Sequence, residues 1–157
     1  LVGSEMCIRD SDSTVLYGLE AGKYRLALKT PKDQIINVEY TRDKSKKKAA
    51  YKKSKAIHLK SDIDSIYTST EKAARWYKVS VSSTKKRKAV TLSKDSVGGG
   101  FKFCVYQKGK RLKTVKVTKN DKVKTVKLPK KKGAYYVKVT KLTSKTTGAY
   151  YLGTYTY

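Results

Sequence analysis

From Gly133 onward the residues alternate, with Tyr135, Val137 and Val139 on one side of an extended chain and Tyr136, Lys138 and Thr140 on the other. A period of two carried by β-branched and aromatic residues predicts a half-buried strand. After the polar stretch 143–147, Gly148 opens a second run that puts Tyr150 and Leu152 on one face. Two such runs joined by a short polar loop predict an antiparallel hairpin. The pattern recurs upstream. Residues 56–59 read as a short strand and 61–67 as a looser one. Residues 75–81 alternate cleanly with Tyr77, Val79 and Val81 inward, and 89–92 follow a basic turn at 85–88. Gly98–Gly100 give a flexible entry to 101–106, with Phe101, Phe103 and Val105 inward, and Lys108-Gly109-Lys110 reads as a hairpin turn. Segments 112–118 and 123–128 bring the total to eight or nine strands, and residues 71–75 make at most one helical turn. Short strands at this spacing predict an all-β fold, an antiparallel β-sandwich or jelly-roll-like module.

The pattern also divides the chain. Gly22, Tyr24, Leu26 and Leu28 match Gly133, Tyr135, Val137 and Val139, with Leu19 near the place of Leu128. Residues 13–41 are therefore read as the partial hairpin of an upstream copy, the C-terminal remnant of a preceding repeat. Residues 42–55 are basic and poor in apolar positions, as expected of a solvated linker, and 56–157 form the complete module. Residues 1–12 are read as an artefactual, unstructured N-terminus, because 1–11 resemble a translated sequencing adaptor. On that reading the true N-terminus and any export signal lie outside the sequence. Cys7 then drops out, Cys104 stands alone and no internal disulfide is expected.

Composition sharpens the picture in two places. Thirteen Tyr against two Phe and one Trp favour thin sheets, where a ring packs while its hydroxyl reaches water. A formal charge of +26 raises association rates with any polyanion. Most of the basic residues are Lys, a hydrated point charge, and few are Arg, which forks onto phosphates and guanine edges. Lys102, Lys113, Lys116, Lys127 and Lys138 sit among apolar strand residues, where they keep an exposed sheet face soluble and unpaired. Nucleic acid is accordingly expected only as a non-specific partner.

Catalytic chemistry finds no constellation. His58 is the only histidine and has no cysteine near it in sequence; with Ile57 and Leu59 pointing away, it is expected half-exposed. Cys104 alternates against Phe103 and Val105, so a sheltered structural thiol is expected rather than a nucleophile. Gly98–Gly100 lack the Lys-Ser/Thr and helix of a phosphate loop. Residues 128–133 begin like a wall-sorting signal but lack its Thr and its apolar tail. No catalytic residue, cofactor or metal ligand is assigned. Outward aromatics remain as candidate ligand contacts: Trp76, Tyr106, Tyr136, Tyr151 and Tyr155. Aromatic platforms take sugar rings or bases, and the same rings can serve simply as cross-strand packing.

The ordered set Trp76-Tyr77-Lys78-Val79, Phe101 to Gly109, Gly133-Ala134-Tyr135-Tyr136-Val137-Lys138-Val139 and Gly148-Ala149-Tyr150-Tyr151-Leu152 resembles the bacterial pre-peptidase C-terminal domain family over 56–157. The resemblance implies a β-sandwich attached to secreted or surface proteins, without catalysis of its own, in an extracellular setting. Some relatives bind calcium through acidic residues near the domain start. Here only Asp62 and Asp64 stand there, short of the six to eight oxygens calcium takes. The expected function is adhesion, spacing or docking, with an anionic cell-wall polymer, glycan or host matrix protein as partner, along with neighbouring repeats of the same chain. The alternative is a substrate-binding accessory to a secreted protease or glycoside hydrolase whose catalytic domain lies upstream. No membrane span is expected.

Overall fold

The computed structural model describes Arg25 and residues 50–60, 66–68, 74–94, 99–143, 146 and 150–157. The upstream repeat at 13–41, the adaptor-like start, most of the linker, Asp62, Asp64 and Gly98 lie outside the described residues, as does all but one end of the suggested turn at 71–75. Among the described residues nine strands form: β1 (Ile57–Leu59), β2 (Ile66–Thr68), β3 (Arg75–Val81), β4 (Lys88–Lys94), β5 (Phe101–Gln107), β6 (Lys110–Val117), β7 (Val123–Lys127), β8 (Gly133–Lys141) and β9 (Tyr150–Thr156). They make two sheets, β1-β3-β8-β5-β6 and β2-β9-β4-β7. The chain is a β-sandwich.

Its core follows the alternation. Tyr77, Val79, Val81, Phe101, Phe103, Val105, Tyr135, Val137 and Val139 from the five-stranded sheet are buried against Val90, Leu92, Val126, Tyr150 and Leu152 from the other. Burying every second side chain of two facing sheets is the largest stabilising contribution here, at roughly 1.5–3 kcal/mol per large apolar side chain. One polar contact crosses the core: the Tyr77 and Tyr150 hydroxyls lie 2.7 Å apart, with their rings edge-on at 6.5 Å. Phe101 meets the same Tyr150 ring at 4.9 Å. A hydroxyl pair inside an apolar core satisfies two groups that would otherwise be costly to bury.

Two features differ from the sequence reading. The closing runs do not pair with each other. β8 lies between β3 and β5, whereas β9 pairs with β2 and β4 in the opposite sheet. Both edges of β8 are already taken, so the chain crosses the sandwich instead of turning back. A strand of the facing sheet buries the same alternate residues as a hairpin partner would, so periodicity could not separate the two. The module is also not wholly antiparallel, since β1 runs parallel to β3, Ile57 opposite Tyr77. Between them the chain visits β2 in the other sheet, which supplies the crossover a parallel pair needs.

The β5–β6 connection is a true hairpin. Gln107 pairs with Lys110, leaving Lys108 and Gly109 as a two-residue loop. Both have positive φ, 48° and 81°. That is the geometry whose twist suits a two-residue hairpin.

The stretch 50–55, at the end of the basic segment, is seated on the sandwich. Ala50 is buried, its carbonyl accepts the Trp76 amide at 2.8 Å, and Lys53–Lys55 form one 3₁₀ turn before β1.

Candidate functional site

The five outward aromatics fall on two opposite faces. Trp76, Tyr106 and Tyr136 project from β3, β5 and β8 on the outer side of the five-stranded sheet, each partly buried. Tyr136 pairs in register with Tyr106 on one side and Lys78 on the other. Trp76 reaches across β8 so that its ring centre stands 5.5 Å from that of Tyr106. Lys138 lies 5.5 Å above the Trp76 ring and Lys53 4.7 Å above Tyr136. A cation over a ring face is held by the ring quadrupole, and more firmly on Trp than on Tyr. These three rings thus form one cluster capped by two lysines.

Beneath that cluster lies Cys104. It is buried, and its Sγ is 3.4 Å from the Thr114 hydroxyl. This agrees with a sheltered structural thiol. Burial, with the thiol beside it, pushes the Tyr106 phenol above its ordinary value, so the ring is neutral over the physiological range. His58 is exposed and its Nε2 is 3.1 Å from the Ser80 hydroxyl. It stands on the edge strand, three strand spacings from Cys104 in sheet order, roughly 14 Å away. The fold does not bring these two together. Among the described residues no three His, Cys, Asp or Glu side chains gather, and no described helix is long and apolar enough to cross a membrane.

Tyr151 and Tyr155 lie on β9, on the outer side of the four-stranded sheet, with Gly153 between them. The sequence reading did not single out Tyr157 and took Lys127 only as a residue that keeps the sheet face soluble. Tyr157, 45% exposed, sets its ring 5.9 Å from Tyr155, which is 38% exposed, and Lys127 lies 5.3 Å from the Tyr157 ring. Across the strands three rows form in register. Tyr155, Ala89 and Lys127 make the first; Gly153, Thr91 and Thr125 the second; Tyr151, Ser93 and Val123 the third. Thr91 and Thr125 share a hydroxyl contact of 3.0 Å. The middle row is lowest at Gly153, where a Cβ would meet nothing within 4 Å. The available signal was a glycine set between two tyrosines of the same outward phase, which strand phase alone reads merely as a weak point.

No family model and no curated protein matches the chain. Among solved structures it is similar to the pre-peptidase C-terminal domain of a collagenase from Bacillus anthracis. The two are 17% identical with a TM-score of 0.47, the match covering 71% of this chain and 99% of that one. That is the kind of domain the ordered sequence set resembles.

Proposed function

We propose that this chain is a non-catalytic extracellular module of a bacterial surface or secreted protein, one that adheres or docks through polyanionic, glycan-like ligands. The observation that carries the reading is the pairing of lysines with outward aromatic rings on both faces: Lys138 over Trp76, Lys53 over Tyr136 and Lys127 over Tyr157. Rings offer flat apolar platforms to a sugar, and the adjoining ammonium groups meet its acidic substituents. The net charge of +26 draws such a polymer in from a distance. A core that uses none of these side chains leaves both faces free for the task.

The test is a salt titration of binding to heparin, to neutral dextran and to DNA of comparable charge density. Heparin affinity should fall steeply as ionic strength rises and dextran should bind far more weakly. A preference for DNA over heparin at equal charge, or equal binding of dextran and heparin, sinks the reading.

A further inference from the structure

The row Gly153–Thr91–Thr125 has neighbours of a distinct kind on each side. One bank is Tyr155 and Tyr157 with Lys127; the other is Tyr151, Ser93 and Val123. Rows two residues apart stand roughly 7 Å apart along the strands, and three adjacent strands span about 10 Å across. The result is a shallow trough walled on β9 by the tyrosines and on β7 by Lys127 and Val123, and low-sided on β4, where the small Ala89 and Ser93 flank Thr91. Its floor carries two hydroxyls and an empty glycine position. The exposed Tyr155 and Tyr157 stand at one side and Tyr151 at the other.

We propose that this trough is the subsite for a single chain of an acidic polysaccharide, laid across the four-stranded sheet. The proposal rests on the polyanion reading above and gives it a place. Each part has its role in the chemistry. The Thr91 and Thr125 hydroxyls both donate and accept, as sugar hydroxyls do. The Tyr155 and Tyr157 rings offer a stacking wall for the apolar face of a pyranose. Lys127 supplies the counter-charge for a carboxylate or sulfate. Gly153 leaves the room in which the chain lies. On the face of these rows stand Lys127 and the exposed Arg87, which pairs with Tyr157 through two backbone hydrogen bonds. Lys88, Lys94 and Lys124 fall on the alternate phase, where Lys88 bonds the Ser80 carbonyl, Lys94 the Gly99 and Lys119 carbonyls, and Lys124 pairs with Asp121. Across the whole chain Lys far outnumbers Arg, and an ammonium is a point charge suited to scattered acidic groups. Arg87 can also fork onto a phosphate, and DNA is accordingly the competing ligand in the test below. The opposite face offers less ring surface, since Trp76, Tyr106 and Tyr136 are each partly buried whereas Tyr155 and Tyr157 are exposed.

The glycine allows a test in which folding and binding move apart. Gly153→Val places a β-branched residue in the interior of a strand, in open space, so thermal stability should hold or rise. It should nevertheless cut heparin affinity at low salt by about tenfold, with Tyr155→Ala and Lys127→Gln losing roughly three- to tenfold each. Leu112→Ala, at an exposed position of β6 in the other sheet, should leave affinity within about twofold of the parent. If the parent binds heparin and Gly153→Val binds it equally well, the trough is overturned while the polyanion reading stands. If the parent binds no heparin, both fall. A larger loss from Trp76→Ala than from Gly153→Val assigns the site to the opposite face, and DNA binding tighter than heparin and equally blocked by Gly153→Val overturns the ligand chemistry.

Discussion

Single residues in this chain act through what they hold in place. Asp121 is the clearest case, an acid in a strongly basic protein. Its carboxylate forms an ion pair with Lys124 at 2.7 Å and accepts the Thr118 amide at 2.9 Å and the Thr118 hydroxyl at 2.8 Å. Those bonds, Lys124 first, hold its carboxyl well below the ordinary carboxylate range. They pin the turn between β6 and β7, where the chain leaves one sheet for the other. A folded-state value below the unfolded one gives a contribution that is complete above about pH 4 and is lost as pH falls. The melting-temperature gap between the parent and Asp121→Asn should accordingly be widest near neutrality and shrink progressively below about pH 4. A gap that stays constant from neutral to strongly acid solution would show that the turn does not depend on this charge.

At the scale of elements, what could be read from sequence was phase. The inward sets on β3, β5, β8 and β9 are buried as the alternation requires. What could not be read was partnership, because an alternating strand presents the same apolar face to a sheet neighbour and to a facing sheet. That is why β8 and β9 read as a hairpin yet lie in different sheets, and why the parallel β1–β3 pair was invisible. It is also why the trough could not be seen, since its three rows exist only once β9, β4 and β7 stand side by side. Turns are legible where a residue type is forced by conformation. Gly109 is such a case, and its neighbour Lys108 departs from the rule by holding φ 48° with a side chain that gains nothing from it. Asn tolerates that region far better, and Asn-Gly is the preferred pair for this loop. Lys108→Asn should therefore stabilise the protein by up to roughly 1 kcal/mol, read as a shift in denaturant midpoint at unchanged slope. A lower midpoint would mean the loop does not adopt the left-handed pair in solution.

For the molecule as a whole, the open question of architecture is where the module starts. Composition drew the boundary at residue 56, because the preceding block is basic and carries no apolar stripe. The fold gives that block's last residues structural tasks that composition cannot register. Ala50 is small and buried, its carbonyl closes the Trp76 amide, and the turn at 53–55 brings Lys53 onto the Tyr136 ring. None of these depends on an apolar period; they rest on one backbone carbonyl, one buried methyl and one lysine ammonium. Two shortened chains separate the alternatives, one beginning at residue 50 and the other at 56. Losing the Ala50 carbonyl leaves the Trp76 amide without that bond, at a cost of about 1–3 kcal/mol, and the cation over Tyr136 adds about 0.5–1 kcal/mol. The chain from residue 50 should melt several degrees above the chain from 56, by roughly 4–8 °C per kcal/mol for a domain of this size. Equal melting curves would place the boundary back at 56 and reduce the docked segment to a passive tether.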